Sequence, residues 1–109
     1  MNIDKFDNLT KGQVEALLEC FDLLSNGYHE RNTIEIGDCW IIQLYHTRNN
    51  RKLRVFIQPN RYRIVEGKKL RKMVSFKPSC DRYQLIVNSP KSVGVVRVRG
   101  SRDERLVPS

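Results

Sequence analysis

A chain of 109 residues with a formal net charge of +8 is long enough for one domain and basic enough to attract polyanions. Its apolar share of 39% and charged share of 29% are typical of a globular protein and exclude a disordered chain. No apolar run approaches the ~20 residues that cross a bilayer, and residues 1–10 lack the features of a secretory signal. We therefore expect a cytoplasmic location, in the cytoplasm of the host cell if the chain is viral.

The charge is divided unevenly along the chain. Residues 1–46 carry three basic and eight acidic side chains, whereas residues 47–109 carry seventeen basic and four acidic ones. The net charges of these two segments are −5 and +13. This division predicts a molecule with one acidic side and one basic side. A basic surface attracts phosphate backbones through Coulomb force and counterion release.

A helix is predicted to begin near Lys11. Thr10 can accept a hydrogen bond from the first turn, and Gly27 provides a stop because glycine adopts the left-handed conformation that ends helices. Apolar residues at the 3, 4, 7 spacing of one helix face favour a core contact, and they are Val14, Leu17, Leu18, Phe21 and Leu24. The opposite side is either a solvated surface or a second contact site, and its acidic residues are Glu15, Glu19 and Asp22.

From residue 33 the apolar period changes to two, which predicts strands at 33–36, 40–45, 53–58, 62–65, 81–87 and 92–99. Residues 66–77 fit a helix or a strand, and we favour a short helix at 67–76 because Lys, Leu, Arg and Met are good helix formers. The sequence therefore predicts a two-layer α+β fold, with the N-terminal helix on one face of an antiparallel sheet of about five to six strands. We expect one compact basic domain at 1–99 and a mobile C-terminal tail at 100–109.

Strand alternation predicts which side chains face away from the helix. With Leu53, Val55 and Ile57 inward, their neighbours along the strand point outward. The same rule applied to every strand predicts one arginine-rich sheet face, whose members are Arg54, Phe56, Arg61, Arg63, Arg82, Arg97 and Arg99. Basic residues in or beside the turns are predicted to line the rims of that face, and they are Arg48, Arg51, Lys52, Lys68 and Lys69.

The composition of the predicted face indicates a binding chemistry. Arginine presents a planar fork of donors to phosphate oxygens or to the edge of guanine, and an aromatic ring can stack on a base. The pattern predicts a non-enzymatic nucleic-acid-binding protein, with DNA favoured over RNA. Two alternatives stay open. One is a small phage-type inhibitor that binds an acidic or nucleic-acid-binding site of a host protein. The other is a small ribonuclease built on His46 and arginines that hold phosphate.

The cysteines and histidines show no catalytic or metal-binding pattern. Cys20, Cys39 and Cys80 are odd in number and widely spaced, so we expect buried, reduced thiols rather than disulfides. In principle Cys39 and Cys80 could bind zinc together with His29 and His46, but their spacing lacks the regularity of zinc sites. We predict no catalytic residue, no metal and no cofactor.

Several short stretches between residues 20 and 65 carry a resemblance to a known family. They are Leu23-Leu24-Ser25-Asn26-Gly27, Ile34-Glu35-Ile36, Thr47-Arg48-Asn49-Asn50 and Arg63-Ile64-Val65. With the order of elements, they resemble the C-terminal DNA-binding domain of the middle-promoter transcription activators of T-even-like bacteriophages. That domain has a saddle-shaped sheet with helices on its other side, known as the double wing. The resemblance implies that the arginine-rich face and turns lie along DNA grooves, in a phage or mobile-element regulator of transcription.

Overall fold

The computed structural model describes residues 6–99, which form one helix followed by seven strands. The helix is α1 (Lys11–Ser25), and the strands are β1 (Tyr28–Ile36), β2 (Cys39–His46), β3 (Arg51–Gln58), β4 (Arg61–Glu66), β5 (Lys69–Ser75), β6 (Arg82–Ser89) and β7 (Ser92–Arg99). Within the described range, α1 is neither long enough nor apolar enough to cross a bilayer. The tail predicted at 100–109 lies outside the described residues.

Two reciprocal hydrogen bonds fix the start of α1. The Gln13 N–H donates to Thr10 Oγ1 at 3.2 Å, and the Thr10 N–H donates to Gln13 Oε1 at 2.9 Å. This capping box gives partners to N–H groups that a helix start otherwise leaves unsatisfied. The predicted cap at Thr10 is therefore confirmed. After the helix, Gly27 has a φ of +98°, a conformation that favours glycine at the end of a helix.

Strands β1–β5 form a five-stranded antiparallel sheet in sequential order, and α1 packs on one face of it. Alternation allows this packing because successive side chains of a strand point to opposite faces. Leu17 and Cys20 of α1 and Ile42, Val55 and Ile57 of the sheet have no exposed surface. The predicted fold, an N-terminal helix covering one face of an antiparallel sheet, is confirmed.

The prediction of a short helix at 67–76 is wrong, because residues Lys69–Ser75 form strand β5. This strand pairs antiparallel with β4 along its whole length. Helix propensity is a weak preference that tertiary contacts override. Here the contacts are the backbone pairing with β4 and an ion pair between Lys72 and Glu19 of α1.

The last two strands form a separate two-stranded sheet, so the prediction that they continue the main sheet is wrong. Backbone hydrogen bonds join β6 to the segment before α1 instead. The Leu9 N–H donates to the Tyr83 carbonyl at 2.9 Å, and the Tyr83 N–H donates to the Leu9 carbonyl at 2.8 Å. Leu85 extends from β6 into the hydrophobic core and is only 4% exposed. This hairpin therefore packs against the helix rather than extending the five-stranded sheet.

Both edge strands of the main sheet are interrupted by a β-bulge. In β1 the register shifts between Glu30 and Asn32, which leaves Arg31 as the extra residue. In β5 the register shifts opposite the Ile64–Val65 step, which leaves Arg71 as the extra residue. A bulge and a cation on an edge strand both oppose pairing with another chain.

Gly12 lets the start of α1 approach the β3–β4 turn closely. A Cβ atom on Gly12 would lie 2.6 Å from the Pro59 carbonyl oxygen. In an open helix position, Gly→Ala stabilises by about 1 kcal/mol. We predict the opposite sign for Gly12→Ala, a loss of about 1–3 kcal/mol, because the added methyl forces the helix away from the turn. Urea unfolding followed by circular dichroism measures this difference.

Gly94 in β7 provides the control, since a Cβ atom there would meet nothing within 4 Å. We expect Gly94→Ala to be neutral or to stabilise by up to about 1 kcal/mol. A Gly12→Ala variant at least as stable as the parent protein would contradict the close approach.

Candidate nucleic-acid interface

The side of β1–β5 that faces away from α1 is exposed to solvent, and we call it the open face. Paired residues of neighbouring antiparallel strands point to the same side, so the register assigns each paired residue of the sheet to one of its two sides. Its apolar members are Ile34, Ile36, Ile41, Phe56, Val65, Leu70 and Met73. Its polar members include Asn32, Cys39, Gln43, Tyr45, Lys52, Arg54, Gln58, Arg61, Arg63 and Ser75.

The open face carries cations but no carboxylate among the described residues of the five strands. Lys52, Arg54, Arg61 and Arg63 are all exposed on it. The glutamates of these strands lie on the helix side instead, and they are Glu30, Glu35 and Glu66. Glu30, for example, pairs with Leu44, which is buried against the helix. The register therefore separates the two signs of charge onto opposite sides of one sheet.

Phe56 lies near the centre of the open face, on the middle strand of the sheet. The guanidinium carbon of Arg63 lies 4.4 Å from the centroid of its ring, and that of Arg54 lies 5.5 Å away. Both distances are within the range of cation–π attraction. The two arginines are therefore held over an aromatic ring and not beside a carboxylate.

Arg61 and Arg54 on this face also donate hydrogen bonds to neutral acceptors. Arg61 Nε donates to Gln58 Oε1 at 2.9 Å, and Arg54 Nη2 donates to the Gly67 carbonyl at 3.0 Å. A neutral acceptor orients a guanidinium group without cancelling its charge. These arginines therefore keep their positive charge for an anionic partner.

Two shallow depressions lie on the open face. The first, of about 270 Å³, is lined by residues that include Cys39, Ile41, Phe56, Gln58, Arg61, Arg63 and Met73. The second, of about 310 Å³, is lined by residues that include Arg31, Gln43, Tyr45, Lys52, Arg54 and Gly67. Sequence reasoning missed Gln43 and Tyr45, although they alternate with the buried Ile42 and Leu44. It also missed Arg31, the extra residue of the bulge in β1, because the predicted strand began only at residue 33.

Of the predicted rim residues, Arg48 and Lys68 are exposed in the β2–β3 and β4–β5 turns. In a sequential antiparallel sheet, these two turns lie at the same end. The turns at the other end, 37–38 and 59–60, carry no cation. The structure therefore places the exposed turn cations at one end of the open face rather than at both.

Arg51 and Lys69, also predicted as rim residues, lie on the helix side of the sheet, opposite His46 and Glu66. Arg51 donates two hydrogen bonds to Glu66, at 3.0 Å from Nε and 2.9 Å from Nη2. Arg71 approaches the same carboxylate at 3.6 Å. The guanidinium of Arg51 is therefore paired within the chain. These hydrogen bonds lower the pKa of Glu66 below its ordinary value of 4.5.

Arg82, Arg97 and Arg99 belong to the β6–β7 sheet, not to the open face. Arg82 Nη1 donates to the Ser79 and Asp81 carbonyls at 2.8 and 2.7 Å. The register shift between Val87 and Ser89, close to the β6–β7 turn, pairs Leu85 with Val95 and Tyr83 with Arg97. Arg97 therefore lies on the same side of this sheet as the core residue Leu85. The prediction that Arg97 faces away from the core is wrong, because one extra residue in a strand reverses which side the following residues face.

The two histidines lie on opposite sides of the sheet. His46 is on the helix side of the sheet, where its Nδ1 accepts the Asn49 N–H at 3.2 Å and its ring meets the edge of Tyr28. His29 lies on β1 beside the ring of Tyr45. The His46 proposed for a ribonuclease is therefore part of a turn contact and faces away from the open-face cations.

The three cysteines occupy different environments, and the expectation that all are buried holds for Cys20 alone. Burial raises the pKa of the Cys20 thiol to about 12, which keeps it protonated and unreactive. Cys39 is half-buried and Cys80 is exposed. Across residues 6–99, no group of three or more His, Cys, Asp or Glu side chains is arranged to hold a metal ion.

No protein-family model, curated protein or solved structure matches this chain.

The Arg51–Glu66 pair makes stability depend on pH in the acid range. Because the pKa of Glu66 is lower in the folded chain, the pair stabilises the fold above the ordinary carboxyl pKa. That stabilisation is lost as the pH falls through the lowered pKa. We predict that Glu66→Gln is less stable than the parent protein at pH 7 and that the difference shrinks below about pH 4. Thermal unfolding at a series of pH values measures it.

Glu35→Gln is the control for losing one negative charge, since Glu35 is exposed on the same side of the sheet. We expect its deficit at neutral pH to be smaller than that of Glu66→Gln. An equal pH dependence in Glu66→Gln and the parent protein would contradict the role of the pair.

Proposed function

We propose that this chain is a non-enzymatic nucleic-acid-binding protein, with DNA favoured as the ligand, and that the open face is its binding surface. The observation that carries the proposal is that Lys52, Arg54, Arg61 and Arg63 share a face on which residues 6–99 place no carboxylate of the five strands. Nucleic-acid backbones carry one phosphate per nucleotide, and neutralising them releases bound counterions. A face of this composition therefore suits a polyanion better than a neutral or basic partner.

The positions of the acidic residues support the same orientation. Glu19 of α1 is paired with Lys72, and Glu66 is paired with Arg51, both on the helix side. On the helix side, two cations are thus paired with carboxylates of the same chain. The remaining acidic groups of that side repel phosphate. A nucleic acid that approaches the molecule is steered toward the open face.

The resemblance to phage transcription activators adds a biological setting to the proposal. Arg63-Ile64-Val65 lies in β4, and Thr47-Arg48-Asn49-Asn50 forms the β2–β3 turn at the end of the open face. The double-wing analogy calls for a basic sheet and turns of this kind along a DNA groove. We therefore propose a phage or mobile-element regulator that acts in the host cytoplasm.

A salt titration of DNA binding tests the proposed surface. Fluorescence anisotropy of a labelled duplex, measured at several salt concentrations, gives the slope of log K against log salt. We predict that Arg54→Gln, Arg61→Gln and Arg63→Gln in one variant lower this slope by about 2.7, since each phosphate contact on duplex DNA contributes ~0.9. Affinity at physiological salt should fall for every DNA sequence alike.

A matched control removes the same charge outside the five strands, with Lys11→Gln, Lys77→Gln and Lys91→Gln in one variant. All three lysines are exposed. We expect this variant to keep most of the slope, because its cations do not lie on the open face. Equal losses in the two triple variants would count against a defined surface. Absence of salt-dependent binding by the parent protein to duplex and single-stranded DNA alike would contradict the function itself.

A further inference from the structure

We infer that the open face binds unpaired bases, with one base stacked on the Arg63–Phe56 pair. This inference rests on the proposed function and names the form of nucleic acid that the site accepts, a single strand. It is carried by the depth of Phe56, the exposed apolar residues around it and the order of side chains along β3.

Phe56 is placed to support a base rather than to insert between base pairs. Its side chain is half-buried in the middle of the sheet, and Arg63 lies over its ring at 4.4 Å. A ring at this depth does not project far enough to separate the base pairs of a duplex. The guanidinium plane of Arg63 instead offers a flat cation above an aromatic ring, and unpaired bases stack on arginine planes and aromatic rings alike.

The open face exposes more apolar surface than is needed to bind the backbone of a duplex. Ile36, Met73 and Leu70 are 63%, 55% and 51% exposed on it. A duplex directs phosphates and sugars outward and hides the flat sides of its bases. An unpaired strand exposes those flat apolar surfaces next to its phosphates. Exposed apolar side chains mixed with arginines therefore match a single strand in both polarity and charge.

The side chains of β3 describe a path for such a strand. Lys52, Arg54, Phe56 and Gln58 follow one another on the open face. Tyr45 lies opposite Lys52, at the far end of this row from Gln58. A second aromatic ring thus lies ~13 Å along the strand direction from the level of Phe56, with Arg54 between the two levels and Lys52 beside Tyr45. A bound strand lying along β3 can stack one base on the Arg63–Phe56 pair and another on Tyr45, and it can set its intervening phosphates against Arg54 and Lys52.

The test compares two single-stranded DNA probes of equal length, one carrying bases and one made of abasic sites. We predict that the parent protein binds the base-bearing probe more tightly by roughly five- to a hundredfold, which is the range expected for stacking of one base. Phe56→Leu keeps an apolar side chain but removes the ring, and it should bring the two affinities close together. Phe56→Tyr should keep most of the preference.

Two further variants separate stacking from folding. Arg63→Lys keeps the charge but removes the planar guanidinium, so we expect it to lower the preference for bases even if Phe56→Leu is unstable. Ile86→Ala removes an exposed apolar side chain from the β6–β7 sheet and should leave the preference as it is. Unfolding midpoints measured for each variant identify any that fail to fold.

The possible failures are distinguishable. Equal affinity of the parent protein for the base-bearing and abasic probes, with steep salt dependence, would overturn base stacking and leave the proposed function standing. Tighter binding to a duplex than to the base-bearing single strand would also overturn the inference alone. Absence of salt-dependent binding to single strands and duplex would overturn the proposed function and the inference together.

Discussion

The contact between α1 and one face of the five-stranded sheet determines the rest of the arrangement. Leu17 from the helix and Ile42 and Val55 from the sheet are fully buried there, which makes it the centre of the core. Within residues 6–99 this single helix covers one face only, so the opposite face stays in water. Alternation then exposes every second residue of five adjacent strands on one continuous surface. A surface of that kind is free of packing constraints, and its composition is therefore the most direct guide to what the molecule binds.

The sequence was sufficient for the elements whose local signals and tertiary contacts agree. The cap at Thr10, the apolar face of α1 and the alternation in β2, β3 and β4 all survive in the fold. It failed at β5, where good helix formers are held extended by pairing with β4. It failed again at β7, where a register shift between Val87 and Ser89 reversed which side its residues face. In both cases the structure is decided by backbone pairing with a neighbouring strand. Such pairing leaves no periodic pattern in the sequence of either strand, so it could not be predicted from the spacing of apolar residues.

The same limits explain why only part of the predicted arginine-rich face lies together in the structure. Arg54, Arg61 and Arg63 lie on β3 and β4, central strands whose register is fixed on both sides, and alternation placed them on one face. Arg82 and Arg97 depend on which sheet their strands join, and that choice is made by backbone hydrogen bonds to residues 6–9. Arg51 obeys alternation fully, but alternation puts it on the helix side beside Glu66. Periodicity thus predicts the face of a residue well and its partner poorly.

The positive character of the open face depends on where the carboxylates lie more than on the number of cations. Arg51 and Arg54 are close in sequence and differ in electrostatic effect, because one is paired with Glu66 and the other with a neutral carbonyl. An arginine beside a carboxylate has its field largely cancelled, whereas one beside an amide oxygen or an aromatic ring retains it. A net charge of +8 spread evenly would attract nucleic acid weakly and in any orientation. Sorting the glutamates of the sheet onto the helix side concentrates the field on one face, and it defines the side on which the proposed polyanion would bind.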